Sequence, residues 1–578
     1  MRNRKSKNGL EVTVITGTYV ALLSITITDS KKVNRKNFLG FAIKRDDLTE
    51  KESYFLRGFK YFPETAIKFD PGQLFDTDKQ PVQSFFWEDF TVKFAHKYRY
   101  HIIPVYGKPK NLEYGDEVTV DIESEKKEGV LHSVYFNMGV SGSLAYARKF
   151  KNKRPDQMTE AERATARAWL SRGLEEALLD FIDKAIQKKF GLRIAFYEFT
   201  YAPVLFKLKD AVAAGCDVQI VYDSRDEEEE NDEAIENAGL KRTITKNGKR
   251  INVLTRRTKD PQVPSHNKFM IMMDGDTPVE VWTGSTNITD KGILGHSNVG
   301  HQIRSKSLAA KYLEYWTALH KNPELENFTI EVAAVQNDIE EIENFTEDIT
   351  PFFSPRPQKV ILKTYSKFID SAREMVCGIF PFSFSKDMKE ALSTKTDHLK
   401  YILVDKINNA NGIVKRDGTT IIVNGAYFAK AMFDWLEEIN AGILLNKKPN
   451  PTIGTNYVHN KLLLIDPLSK TPVIIMGSAN FSDPSIGSND ENTIVIKGGK
   501  DLRRIADIYF TEFYRMFHHF FVRKATLEIN KDEDTSVDSK NNPIHLKRDN
   551  TWVAQFRKDG VKEKMQDQMS QMPLDFKP

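Results

Sequence analysis

Two short stretches of this chain carry the same reactive residue types in the same order. SHNKFMIMMD contains His266 and Lys268, and GSTN follows with Ser285 and Asn287. VHNKLLLID contains His459, Lys461 and Asp466, and GSAN follows with Ser478 and Asn480. One H-x-K triplet carries no information, because such triplets are common by chance. Here the His, Lys, Ser and Asn of the first stretch each recur 193 residues later. Two copies at one fixed offset read as a duplication. The residue types suit a reaction at phosphorus. One imidazole nitrogen can attack, a second imidazole can give and take the proton, and two ammonium groups can hold non-bridging oxygens. Asn287 and Asn480 add neutral donors, and the Ser285 and Ser478 hydroxyls either add more or brace the loops.

The copies are unequal. The position matching Asp466 is Met273, with Asp274 one residue late, and a one-residue slip along a strand turns a side chain to the other face. The position matching Glu491 is Asn298. No Asp/Glu/His cluster has metal-ligand spacing, and His518–His519 falls in a helical stretch and reads as helix surface. No metal and no cofactor is expected.

These paired motifs resemble the phospholipase D superfamily, which includes phospholipases, cardiolipin synthases, bacterial nucleases and a tyrosyl-DNA repair enzyme. The resemblance covers about residues 130–560. It implies that the two halves pack with both H-x-K pairs facing one pocket, and that Asp466 braces the fold. It also implies that the residue after each GSxN bonds the histidine of the opposite half, so Glu491 would orient His266 and Asn298 would meet His459. The expected catalytic set is therefore His266, Lys268, Asn287, His459, Lys461, Asn480 and Glu491. Ser285, Ser478, Asp466 and Asn298 would support it. A nucleophile gains most from an orienting carboxylate, because its ring becomes cationic on phosphorylation, so His266 is expected to attack and His459 to serve as acid.

The elements that must carry these residues are legible around them. Residues 1–127 read as an all-β sandwich of immunoglobulin or fibronectin III type. Runs such as EVTVITG, VALLSITIT and KYRYHIIPVYG are separated by polar turns, and Tyr98 or Tyr100 is a candidate tyrosine corner. Beyond them the pattern becomes α/β. Leu174, Leu178, Phe181, Ile182 and Ala185 repeat at helical spacing, with Gly191 as the expected stop. LRIAFYEF, a helix closing at Gly215, and DVQIVYD then make a βαβ unit. A second set runs from a helix at 366–375 through CGIFPFSF and KDMKEALS to LKYILVD, so Asp223 and Asp405 close equivalent strands. The fold class is α/β: a duplicated phospholipase D-like αβα fold, with half 1 over 128–345 and half 2 over 346–578 with a polar C-terminal segment.

The chain has 578 residues, a net charge of +4 and two cysteines, Cys216 and Cys377, both in apolar surroundings. The charge names no partner, and two cysteines make no disulfide framework. The N-terminal VTVITGTYVALLSITIT run has Glu11 before it and five threonines within it, which fits two strands better than a signal peptide. No stretch is apolar enough for a membrane span, so a cytoplasmic protein is expected. A phosphodiester is the expected substrate, with nucleic acid favoured over lipid. The favouring features are the basic stretch 241–257 and the aromatics Tyr197, Phe199, Tyr201, Phe382 and Phe384, which suit base stacking. A phospholipase or phosphatidyltransferase and a non-catalytic binding protein are the alternatives. The sandwich is the module expected to meet a protein partner. The acidic run Asp226–Glu236 reads as a solvated loop and helix start.

Overall fold

A computed structural model describes the chain except for residues 66–72, 140–145, 147–148, 152, 154–156, 225–228, 247, 259–262, 416–417, 426–457, 530–544, 558–559 and 575–578. The start of the acidic run and the polar stretch after residue 529 therefore lie outside the described residues. The rest of the acidic run forms the helix Glu229–Ala238.

The N-terminal region consists of two antiparallel sheets. One orders Arg2–Lys7, Leu10–Thr16, Ala21–Ile27 and Phe86–Asp89. The other centres on Lys97–Lys108 paired with Phe38–Asp47, and adds Glu52–Phe55, Asn111–Tyr114 and Val118–Glu123. Alternate residues face inward, so Val12 and Val14 meet Tyr98, Tyr100 and Ile102. The Tyr98 hydroxyl accepts the Lys93 backbone N–H at 2.8 Å, and that of Tyr100 donates to Asp89 at 2.9 Å. The first strand includes the basic N-terminal residues, which the sequence reading did not assign to a strand. Arg2 is buried and paired with Asp507 at 2.7 Å. Trp552 and Phe556, which the expected boundaries placed with half 2, pack inside the sandwich core instead. Both are large apolar rings that the sandwich covers on all sides.

Two seven-stranded sheets follow, and their strand orders are identical position for position. The first runs His132–Phe136, Val299–Ile303, Thr277–Gly284, Lys268–Asp274, Gly191–Phe196, Val218–Asp223, Leu254–Arg257. The second runs Ile349–Ser354, Glu491–Ile496, Val473–Gly477, Leu462–Ile465, Met375–Phe380, Leu399–Val404, Thr420–Asn424. Each has a parallel βαβ unit beside an antiparallel meander. The duplicated α/β reading of the sequence holds at this level.

Side-chain alternation shows how the halves meet. Phe269, Ile271 and Met273 face a core that both halves share, while Met270 and Met272 face the helices of half 1. In half 2, Leu462 and Leu464 face the shared core, and Leu463 and Ile465 face away from it. The helix Leu502–Ile529 adds Ile505, Tyr509, Phe513 and Met516 to the shared core. Such a helix, buried along one side and crossing both sheets, ties the halves into one unit.

Two local expectations shift. The helix Leu174–Lys188 ends at Lys189, whose left-handed backbone (φ 57) supplies the stop. Gly191 instead opens the strand, where a Cβ would meet Asp217 O at 3.0 Å and Met273 Cβ at 3.3 Å. The helix expected at 366–375 spans Val360–Ser371, and the strand after it begins at Met375. His518 is not open helix surface, because its Nδ1 lies 3.5 Å from Glu88 of the sandwich. Both cysteines are buried, and neither is in a disulfide. Among the described residues, no helix is long and apolar enough to cross a membrane, and no group of three or more His, Cys, Asp or Glu is placed to hold a metal.

Met273 fills the shared core at 3% exposure, which is why half 1 has no use for an acid there. Asp466 does different work. Its carboxylate accepts the backbone N–H groups of Arg373, Glu374 and Met375, the last two at 2.8 Å each. It pins the start of the central strand of half 2. Asp466→Ala leaves three donors without that partner and is expected to destabilise the protein by about 2–4 kcal/mol, whereas Asp274→Ala, at an exposed strand end, should cost under about 0.5 kcal/mol. Thermal melts of the two variants check this. Equal melting temperatures would contradict it.

Candidate active site

His266 and His459 stand just before equivalent strands, and backbone pairing between the halves sets their facing positions. Ser265 bridges to Asp490, and Ser297 bridges to Val458. The two bridges are related by the same 193-residue offset. The strand-closing aspartates fix the same points: Asp223 Oδ1 accepts the Ser265 N–H at 2.8 Å, and Asp405 Oδ1 accepts the Val458 N–H at 3.3 Å. Glycine begins each GSxN because the neighbouring strand passes too close for any side chain. A Cβ on Gly284 would lie 2.1 Å from Val299 O, and one on Gly477 2.2 Å from Asn492 O.

The histidines are held from opposite halves. His266 Nδ1 lies 2.9 Å from Glu491 Oε2. Glu491 Oε1 accepts the Ser485 hydroxyl at 2.6 Å, and Ser485 Oγ in turn accepts the Asn480 backbone N–H at 2.9 Å. His459 Nδ1 lies 2.8 Å from Asn298 Oδ1, while Asn298 Nδ2 donates to Gly292 O at 2.8 Å. Gly292 is the counterpart of Ser485, so a backbone carbonyl replaces a hydroxyl. Since amide and carboxylate oxygens both accept, each ring carries its proton on Nδ1 and leaves Nε2 free.

Lys268 donates to the His266 carbonyl at 2.6 Å, and Lys461 to the His459 carbonyl at 2.8 Å. Each lysine is thereby fixed beside its own histidine. The serines brace rather than point outward. Ser285 Oγ lies 2.8 Å from Asn298 Oδ1 and 3.0 Å from Asn460 Oδ1, and Ser478 Oγ accepts the Asn492 N–H at 3.0 Å. Asn492 also donates to Asn267 Oδ1 at 2.9 Å, so the middle residue of each H-x-K triplet is bonded to the opposite half.

Burial dominates the electrostatics. It pushes His266 down to about 4, against the pull of Glu491 and with the help of Lys268. Burial, then Lys461 and His296, push His459 well below the usual histidine range, with no carboxylate opposing them. Burial raises Glu491, but His266 and Lys268 overcome it and hold the group below the ordinary range. The first pair is thus a neutral imidazole donating to a carboxylate. Burial lowers Lys268 to about 7, opposed by Glu491, Glu198 and Asp223. Lys461 is pushed well down by burial and by Lys268. A phosphate anion bound beside the two lysines would favour their charged forms and raise both again.

Several neighbours of the site have no motif to announce them. The Tyr197 ring packs edge-on to His266 with centroids 4.7 Å apart, and Lys268 Nζ lies 5.1 Å from the centre of the same ring. The His296 ring lies 5.6 Å from that of His459, and burial with Lys291 and Lys461 holds it neutral, near 3. Glu198 accepts the Asn287 side-chain amide at 2.6 Å. In the sequence Tyr197 is one aromatic near the motifs among several; in the structure it directly follows the strand Gly191–Phe196, whose last residue pairs with Lys268.

Three arginines of the basic stretch 241–257 are engaged within the chain. Arg242 and Arg256 pair with Asp232, and Arg257 is buried against Asp490 at 2.9 Å. Burial raises Asp490 to about 6 against the pull of Arg257. The pair spans the two halves and lies one residue from Glu491. Phe199, Tyr201 and Phe384 are buried core residues, Tyr197 is half-buried against His266 and Lys268, and Phe382 is exposed.

Residues 178–319 and 367–517 each match the family described as cardiolipin synthase, PLD-like domain. The chain belongs to this PLD-like family of the phospholipase D superfamily. Three solved structures illustrate what it is similar to. Polyphosphate kinase from Porphyromonas gingivalis shares 8% identity and a TM-score of 0.35, over 56% of this chain and 43% of that one. This chain thus spans less than half of the kinase. Phosphatidylserine synthase from Haemophilus influenzae Rd KW20 shares 14% identity and a TM-score of 0.37, over 59% of this chain and 85% of the synthase. Nuc from Salmonella typhimurium, a phospholipase D family member, shares 18% identity and a TM-score of 0.18, over 30% of this chain and 94% of Nuc. No curated protein matches.

Anion binding follows the charge on Lys268. The ammonium is present below pH about 7 and is lost as pH rises through it. The affinity of the free enzyme for dimethyl phosphate, whose single charge is constant over this range, is expected to fall by up to about tenfold per pH unit above 7. Calorimetric titration at several pH values checks this. An affinity that stays level to pH 9 would contradict it.

Proposed function

We propose that this protein is a metal-independent phosphodiesterase that works through a phosphohistidine on His266, with single-stranded nucleic acid as its substrate. The observation carrying the mechanism is the unequal crossing: Glu491 stands behind His266, and only the neutral Asn298 behind His459. Attack by His266 Nε2 forms a P–N bond while the bond to the leaving oxygen breaks. The imidazole becomes cationic, and the Glu491 carboxylate stabilises that charge. His459 delivers its proton to the leaving oxygen. The negative phosphodiester lodged between Lys268 and Lys461 offsets their charge and allows His459 to hold that proton. In the second step water gives a proton to His459 and attacks phosphorus, the P–N bond breaks, and a phosphomonoester leaves. Lys268, Lys461 and the amide of Asn480 hold the non-bridging oxygens.

Support for nucleic acid comes from the rings beside this pocket. Tyr197 and Phe382 stand at the carboxyl ends of the two equivalent central strands, the end that meets the H-x-K residues. Phe382 is 40% exposed. A ring on each side of a bound phosphate suits stacking of unpaired bases.

The test is incubation in EDTA with labelled single-stranded DNA, RNA, duplex DNA and phosphatidylcholine vesicles, beside His266→Ala and His459→Ala. Single-stranded nucleic acid is expected to be cleaved, with each variant slower by roughly a thousandfold or more. An alkaline denaturing quench should trap phosphate on His266, and His459→Ala should accumulate it. Phosphate on His459 or strict dependence on added divalent metal would overturn the mechanism. Turnover of the lipid alone would overturn the substrate, full activity in His266→Ala would overturn the mechanism, and no turnover of any substrate by the wild type would favour a binding role.

A further inference from the structure

We infer that Glu198 is a charge filter in the phosphate pocket, which admits singly charged phosphodiesters and rejects doubly charged phosphomonoesters. The inference rests on the proposed phosphodiesterase reading and adds a residue that neither motif includes.

Glu198 lies two residues beyond the strand Gly191–Phe196, whose last residue pairs with Lys268. Its Oε2 takes the Asn287 amide at 2.6 Å, and Asn287 Oδ1 is buried without a partner. Asn287 is therefore turned with one amide hydrogen committed to a carboxylate. The charge of Glu198 also acts on both pocket lysines, opposing the loss of their protons. The side chain is half-buried, so it borders the pocket instead of closing a core.

The other half gives the contrast. Two residues beyond the equivalent strand Met375–Phe380 stands Phe382, not an acid. Asn480, the counterpart of Asn287, keeps its backbone N–H on Ser485, and its side-chain oxygen has no partner. Beside the two lysines stand the buried Glu491 behind a histidine and, on the His266 side, Glu198 and the strand-closing Asp223.

Charge balance gives the consequence. Glu198 and Glu491 already set two negative charges beside the two lysines, and a diester adds one more. A monoester dianion adds two, and its second charge is repelled by Glu198 in a site of reduced dielectric. The product of diester cleavage is itself a monoester, so the same repulsion speeds its release.

The test separates charge from bracing. Glu198→Gln keeps an oxygen to accept from Asn287 and removes the charge, while Glu198→Ala removes both. Binding of dimethyl phosphate and of methyl phosphate is measured by calorimetry, at a pH where methyl phosphate is a dianion. In the wild type, methyl phosphate is expected to bind more weakly. Glu198→Gln should lower the ratio of its Kd to that of dimethyl phosphate by roughly tenfold or more. Both probes weakening together in Glu198→Ala, with the ratio unchanged in Glu198→Gln, would show a brace alone and overturn the inference. Because the readout is binding, a chain that cleaves no phosphodiester would defeat the proposed function while leaving the filter measurable.

Discussion

The site rests on two hydrogen bonds that cross from one half of the molecule to the other. His266 needs Glu491, and His459 needs Asn298, to fix its tautomer and aim Nε2 at a common point. Neither half can supply its own partner. The shared core between the sheets, the Leu502–Ile529 helix and the Arg257–Asp490 pair all hold the halves in the register those bonds require. A histidine with a mobile ring would lose both its orientation and its preferred protonation state, so small errors in this register cost chemistry before they cost folding.

Duplication followed by divergence explains the internal differences. Strand order, the GSxN glycines and the Asp223 and Asp405 contacts to backbone are kept in both halves. These are geometric needs, and each half has them separately. What differs is charge: Asp466 against Met273, Glu491 against Asn298, Glu198 against Phe382. A phosphoryl transfer needs one nucleophile and one acid, and identical environments cannot provide both. Removing a carboxylate behind one ring and placing one near the opposite lysine makes a two-fold scaffold chemically directional.

Much of this was legible in the sequence, because catalytic motifs on a duplicated fold leave a fixed offset. The 193-residue spacing holds from the H-x-K strand to the residues after GSxN, and it carries the pairing of Glu491 with His266 and of Asn298 with His459. The offset fails earlier in each half, where the intervals from central strand to histidine differ. Glu198, Tyr197 and His296 fall beyond it or have no like counterpart, so no repeat marked them. The partners of Arg242, Arg256 and Arg257 were hidden for a related reason: local sequence shows charge but not the acid that satisfies it, here Asp232 and Asp490. The N-terminal strand was hidden by its basic residues, and Arg2 makes a pair with Asp507 that only tertiary structure reveals.

The central claim is that the two imidazoles share a tautomer but differ in the charge of their acceptors. Long-range 15N–1H NMR of histidine-labelled protein, assigned with His266→Gln and His459→Gln, tests it directly. The account predicts that both rings are protonated on Nδ1 at neutral pH, and that the His266 Nδ1 proton lies further downfield because its acceptor is a carboxylate. An Nε2–H tautomer on either ring, or Nδ1 protons with the same shift, would contradict it.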